Sequence, residues 1–159
     1  MEARIAQLVV DLGQEGFLRR MEDLSGAERR EIFHHLEVPS GGASVSARLR
    51  NAKRIALAWE RLASGLDEHA AEAFARAHLA RRGMPMIIAF LDRLGVPHEG
   101  GYLKEDEALA KLDAKAIGAA LAELTAAHEA YDVRLYAALM SLPGAEALAP
   151  PSPKGEARG

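Results

Sequence analysis

Alanine constrains this chain more than any other residue: it fills 32 of 159 positions, while Phe, Tyr and Trp together fill eight. Alanine is the strongest helix former, and the β-branched and aromatic residues that strands favour are sparse, so the composition predicts an all-α fold. The chain is 49% hydrophobic and 27% charged, the profile of one soluble globular domain. At this length roughly two thirds of the unfolded surface can be buried, so neither a metal nor a disulfide is needed for folding.

Helix start and stop signals divide the chain into about seven helices, within a range of six to eight. The first is expected from about Ala3 to Leu12, stopping at Gly13, and the second from about Glu15 to Leu24. Ser25 caps a third, with Glu28 completing a capping box, and Pro39 ends it after Leu36. A loop at Ser40 to Gly42 precedes a long helix from about Ser44 to Ser64, closed by Gly65. Asp67 caps the next, which Gly83 ends, and Pro85 sits in the first turn of a short apolar helix that stops at Gly95. After the segment VPHEGGYLKED, Asp113 caps a helix to about Glu129, and Asp132 caps a last one to Leu142. The expected architecture is a single compact bundle over 1–142, followed by a disordered tail over 143–159, whose APPSPKGEARG ending has little to bury.

IFHHLEVPSGG at Ile32 to Gly42 and AFLDRLGVPHEGG at Ala89 to Gly101 echo each other, an aromatic and a leucine followed by Val-Pro and a glycine pair. Two copies would fit a duplicated helix–loop unit. Val-Pro is also a common way to leave a helix in extended geometry, and the two segments are read as exits.

Net charge is -3, so no global basic field draws the molecule to nucleic acid or acidic lipid. Fifteen of the twenty basic residues are Arg, a bias that a GC-rich genome explains as well as any function does. The absence of cysteine removes disulfide frameworks, thiolate metal sites and cysteine nucleophiles. The apolar stretch Met84 to Leu91 is far short of the roughly 20 residues of a membrane helix, and Glu2 and Arg4 stand where a signal peptide needs an apolar run, so a cytoplasmic protein without membrane contact is expected.

Six histidines invite a metal reading. Glu31 and His34 have the Glu-x-x-His spacing of di-metal bundles, but that fold needs the motif twice; His69-x-x-Glu72 is reversed and Glu123 is out of phase with His128. Glu31 and His34 also point away from the apolar side formed by Ile32, Phe33 and Leu36. His34, His35, His78 and His128 fall in or near last turns, where they satisfy free carbonyls, and His78 lies on the side of Phe74 and Ala71 as a core or interface histidine. No metal and no cofactor is expected. The chain has no Gly-x-Ser-x-Gly elbow and no phosphate loop, so no enzyme is expected. One exposed segment does concentrate polar groups, His98, Glu99, Tyr102, Lys104 and Asp106, and is a candidate loop site.

The long helix carries an apolar stripe of Val45, Leu49, Ala52, Ala56, Trp59 and Ala63, widened by Ile55 and Leu62. The opposite arc gathers Arg50, Lys53, Arg54 and Arg61, with Arg48 flanking and Asn51 nearby. Over Ser44 to Ser64 five basic residues face Glu60 alone, a local charge of +4. The segment EIFHHLEVPSGGASVSARLRNAKR, residues 31–54, resembles the helix-turn-helix of bacterial sigma-factor and regulator DNA-binding domains. In that motif Ile32, Leu36, Val38 and Val45 would pack two helices together, and Arg48, Arg50, Asn51 and Lys53 would meet the major groove. It departs from the motif in a turn about two residues longer and in Glu37, which stands where a glycine is usual.

The sequence therefore predicts a non-enzymatic protein-interaction module or assembly subunit, acting on a protein partner or on itself. Alanine-rich faces, Ala70, Ala73 and Ala77 and Ala116, Ala119 and Ala120, would allow close helix packing. The rival is a DNA-binding regulator, with Arg48, Arg50, Asn51, Lys53, Arg54 and Arg61 as contacts to nucleic acid or to an acidic partner.

Overall fold

The structure, a computed structural model, describes residues 4–39, 47–105 and 107–143. It is all-α, as the composition requires, apart from one two-residue hairpin, and it divides after Arg82 into two compact units. The expected disordered tail lies, from residue 144 on, outside the described residues.

The first unit holds α1 (Arg4–Asp11), α2 (Gly13–Asp23), α3 (Gly26–His35), α4 (Ala47–Gly65) and α5 (Glu68–His78). A π-helical turn, Leu79–Gly83, extends the end of α5. Here α5 packs on α1, α2 and α3, while α4 packs on α1 and α2. Phe17 of α2 is fully buried between Trp59 of α4, at 5.6 Å between ring centres, and Phe74 of α5, at 5.1 Å. Helix starts follow the sequence signals closely. Ser25 and Glu28 close the capping box, with Ser25 Oγ accepting from the Glu28 amide at 3.1 Å and Glu28 Oε1 from the Ser25 amide at 2.8 Å. That backbone hydrogen bond, aided by Arg81, holds the Glu28 carboxyl below its ordinary range. Asp67 accepts from the Ala70 amide at 2.9 Å, and Glu68 accepts from the amides of Ile5 and Ala6, so one carboxylate caps α1 from across the unit.

Two sequence expectations shift. The buried line of α4 is Ile55, Ala58 and Leu62, with Trp59 half-buried and Ala52 exposed, so the apolar stripe is rotated toward Leu62. On α5 the buried alanines are Ala70, Ala71 and Ala75, grouped around Phe74, while Ala73 and Ala77 are half-exposed.

The second unit holds α6 (Met84–Leu94), the strands β1 (His98–Glu99) and β2 (Tyr102–Leu103), a 3-10 turn at Leu109–Lys111, α7 (Ala114–Ala127) and α8 (Ala130–Leu139). α7 packs on α6 and α8 through Ile117, Ala120, Leu121 and Leu124, leaving Ala116 and Ala119 exposed. The last helix opens at Glu129, three residues before the expected cap Asp132, which lies buried in the first turn. A carboxylate there still complements the positive end of the helix dipole. Phe90 and Tyr136 meet edge to face at 5.6 Å.

Three helices leave by one device. Glu37, Gly95 and Ser141 adopt left-handed backbone, with φ of 57°, 70° and 53°. The apolar residue that follows each, Val38, Val96 or Leu142, is buried and donates its amide back five residues, to the carbonyl of Phe33, Leu91 or Ala137, before a proline. This is the Schellman arrangement, and it explains the Val-Pro echo as a repeated exit. The third copy, Ser141-Leu142-Pro143, shows that the pattern is apolar-Pro rather than Val-Pro.

Left-handed backbone costs an L-residue about 1–2 kcal/mol, part of which the chain entropy of a glycine offsets. Glu37→Gly should therefore stabilise the protein by about 0.5–1 kcal/mol, and Gly95→Ala should destabilise it by about 1 kcal/mol. A Cβ at Gly95 meets nothing within 4 Å, so the second effect is conformational and not steric. Denaturant midpoints at unchanged slope would check both.

Burial pushes the Tyr136 phenol up to about 12. The unfolded chain loses this proton near pH 10, so stability is undiminished below pH 10 and falls as pH rises through about 12. Tyr136→Phe should remove an alkaline loss on the order of 2 kcal/mol, read as the difference in unfolding free energy between pH 9 and 12.

Candidate functional site

The end of α3 and the middle of α4 bring several arginines together. A short helix leaves its last carbonyls without partners. Here arginines supply them. Arg61 donates from Nη1 to the Leu36 carbonyl at 2.9 Å and also to that of Glu37. Arg54 donates from Nε to the Pro39 carbonyl at 2.9 Å, with its guanidinium 4.2 Å from the centre of the Phe33 ring. Arg29 does the same for α2, giving Nη1 to the carbonyls of Met21 and Leu24. The rotated face of α4 accounts for this: Arg54 and Arg61 lie four residues before and three after buried Ala58, so they flank the packed side.

These cations crowd one another. Burial lowers the affinity of Arg54 for its proton, and Arg50, Arg29 and Arg30 lower it further by repulsion. Beside them opens a groove of about 450 Å³ lined by Arg30, Glu31, Phe33, His34, Val38 and Arg54. Phe33 and Val38 are buried and make an apolar floor, whereas Arg30, Glu31 and His34 are exposed at the rim.

Of the six basic and polar residues singled out on the long helix, Arg54 and Arg61 are thus committed to the end of α3. Lys53 is exposed, Arg50 and Asn51 are half-buried, and the side chain of Arg48 lies outside the described residues. Residues 40–46, the turn of the helix-turn-helix resemblance, lie outside them as well. α3 packs on α5, and α4 on α1 and α2; α3 and α4 are joined by the arginine ties. Sequence reasoning missed Arg30, Phe33 and Val38 as partners of this site. The available signal was the four-residue spacing of Arg30 and His34, which puts both on one side of α3.

The loop candidate folds as a hairpin. His98-Glu99 and Tyr102-Leu103 form an antiparallel hairpin, with Gly100 and Gly101 both at positive φ in its two-residue turn. Nδ1 of His98 accepts from the Gly101 amide at 3.1 Å, which assigns the ring proton to Nε2, and Nε2 donates to Asp92 Oδ1 at 2.7 Å. Both nitrogens are occupied, so His98 clamps the hairpin to α6 and has no lone pair free for a substrate. A Cβ on Gly101 would run into Met84 Cε. Glu99, Tyr102 and Lys104 are exposed, and Asp106 lies outside the described residues. His78 is buried and stacked on Phe74, at 6.1 Å between ring centres.

Comparison with protein-family models, with curated proteins and with solved structures finds no match. Among the described residues no helix is long and apolar enough to cross a membrane.

His98→Ala should destabilise the second unit by about 1–2 kcal/mol through loss of two hydrogen bonds. Faster exchange of the Gly101 amide, with α7 amides changed far less, would show that the histidine acts on the hairpin.

Proposed function

We propose that the protein is a non-catalytic interaction module whose groove at the end of α3 receives an acidic, partly apolar segment of a partner protein. One observation carries this reading: two arginines, Arg30 and Arg54, line a groove with an apolar floor, and each group that perturbs Arg54 by its charge, Arg50, Arg29 and Arg30, is itself a cation. A carboxylate at the rim relieves that repulsion, and an apolar side chain packs into the groove beside Val38. Glu31 at the rim accepts a backbone N–H of the segment, and it repels a continuous run of phosphates.

Duplex DNA remains the rival because Arg50 and Lys53 share the basic arc of α4. The commitment of Arg54 and Arg61 to α3 counts against it, since a helix that reads DNA needs its cations for phosphates. Fluorescence anisotropy with a short peptide of alternating acidic and leucine residues, against a random duplex, separates the two. The peptide is expected to bind at micromolar protein in 50 mM salt, and Arg30→Glu to weaken it at least tenfold. Duplex binding with a log-log salt slope near -4, lost in Arg50→Ala plus Lys53→Ala, would transfer the proposal to nucleic acid. Failure of both probes would overturn it.

A further inference from the structure

The histidines of α3 and α5 meet in a way that neither helix reveals alone. Glu28 at the start of α3 is ion-paired to Arg81 beyond the end of α5, at 3.2 Å. His35 at the end of α3 lies beside His69 at the start of α5, with ring centres 6.5 Å apart and planes inclined by 20°. The two helices are therefore antiparallel. That orientation changes the meaning of the reversed spacing His69-x-x-Glu72. On antiparallel helices a reversed order is what sets histidine opposite histidine, and it places Glu31 and Glu72 on the same side of the pair, one turn along.

Both rings are exposed, and among the described residues neither makes a hydrogen bond or ion pair. Their nitrogens thus differ from those of His98, which are both occupied. With metal–nitrogen bonds of about 2.0–2.1 Å, two imidazoles on one ion have ring centres roughly 5 to 6.5 Å apart, according to the angle at the metal. The observed 6.5 Å matches only a near-linear pair, so a tetrahedral ion, which needs about 5 Å, draws the two exposed rings roughly 1.5 Å closer by side-chain rotation. No three His, Asp or Glu side chains converge among the described residues, so water completes the coordination shell.

We propose that His35 and His69 form a two-imidazole clamp for a late first-row divalent ion, Zn²⁺, Ni²⁺ or Cu²⁺. Imidazole selects these ions, whereas Mg²⁺ and Ca²⁺ demand oxygen ligands. Each ligand comes from a different helix, so a bound ion ties the end of α3 to the start of α5. The ion binds the folded protein and is not required for folding, which the apolar core sustains.

Zn²⁺ titrated calorimetrically into the untagged full chain at pH 7.5 tests the clamp, with Mg²⁺ as the control ion. One Zn²⁺ per chain is expected, together with a melting temperature raised by several degrees. His35→Ala and His69→Ala, both at exposed positions, should each weaken binding at least tenfold and abolish the rise, while His128→Ala, in the second unit, leaves both intact. Circular dichroism of each variant verifies its fold. Three results would overturn the clamp: no Zn²⁺ binding up to millimolar concentration, unchanged binding in His35→Ala or His69→Ala, or equal loss in His128→Ala. None of these bears on the acidic-peptide reading, which uses Arg30 and Arg54.

Discussion

The need to satisfy the ends of short helices organises this molecule. Its helices run from 8 to 19 residues, so terminal amides and carbonyls make up a large share of the backbone. At the starts, Ser25, Asp67 and Glu68 supply oxygens. At the ends, a left-handed residue followed by a buried apolar one folds the chain back on three helices, and arginines from neighbouring elements take remaining carbonyls. The site grows out of that second solution. Because Arg54 and Arg61 reach the end of α3, α4 brings its charge to α3, and the groove forms where the two meet.

The sequence was most legible where the chemistry is local. The helical class, the capping box at Ser25, the cap at Asp67, Pro85 in a first turn and the stop at Gly95 all depend on residues within a turn of one another. Legibility fell where a distant partner decides. The buried face of α4 was misplaced because Ala, Trp and Leu spread its apolar arc widely, and packing against Phe17 chose one edge. Asp132 reads as a cap by residue type, yet the helix begins at Glu129. The division after Arg82 has no linker of its own composition; Gly83 and Pro85 read as one more helix stop and start.

The candidate site was half visible. Its cations stood out as a basic arc, but the arc alone could not tell an exposed row from a set of helix staples. That distinction depends on Phe33, Leu36 and Pro39, which lie 15 to 25 positions away from their arginine partners. The hairpin shows the same limit in reverse. Paired glycines signalled its turn, whereas the occupation of both His98 nitrogens depends on Asp92, six residues back on α6.

In the proposed reading, Arg54 combines a structural and a recognition role in one side chain. Its Nε is fixed on the Pro39 carbonyl and its plane lies over Phe33, so the guanidinium is held in place before any ligand arrives. Ordering a long, flexible side chain is one of the costs of binding, and folding has already met it here. Partial burial and three nearby arginines have also made the charge less comfortable than it would be in water. An incoming carboxylate thus meets a fixed donor whose repulsions it relieves, a combination that an exposed lysine such as Lys53 cannot offer. Truncating Arg54 would remove both the proposed recognition group and the tie that closes α3, whereas Arg30, at the rim, contributes charge without holding backbone.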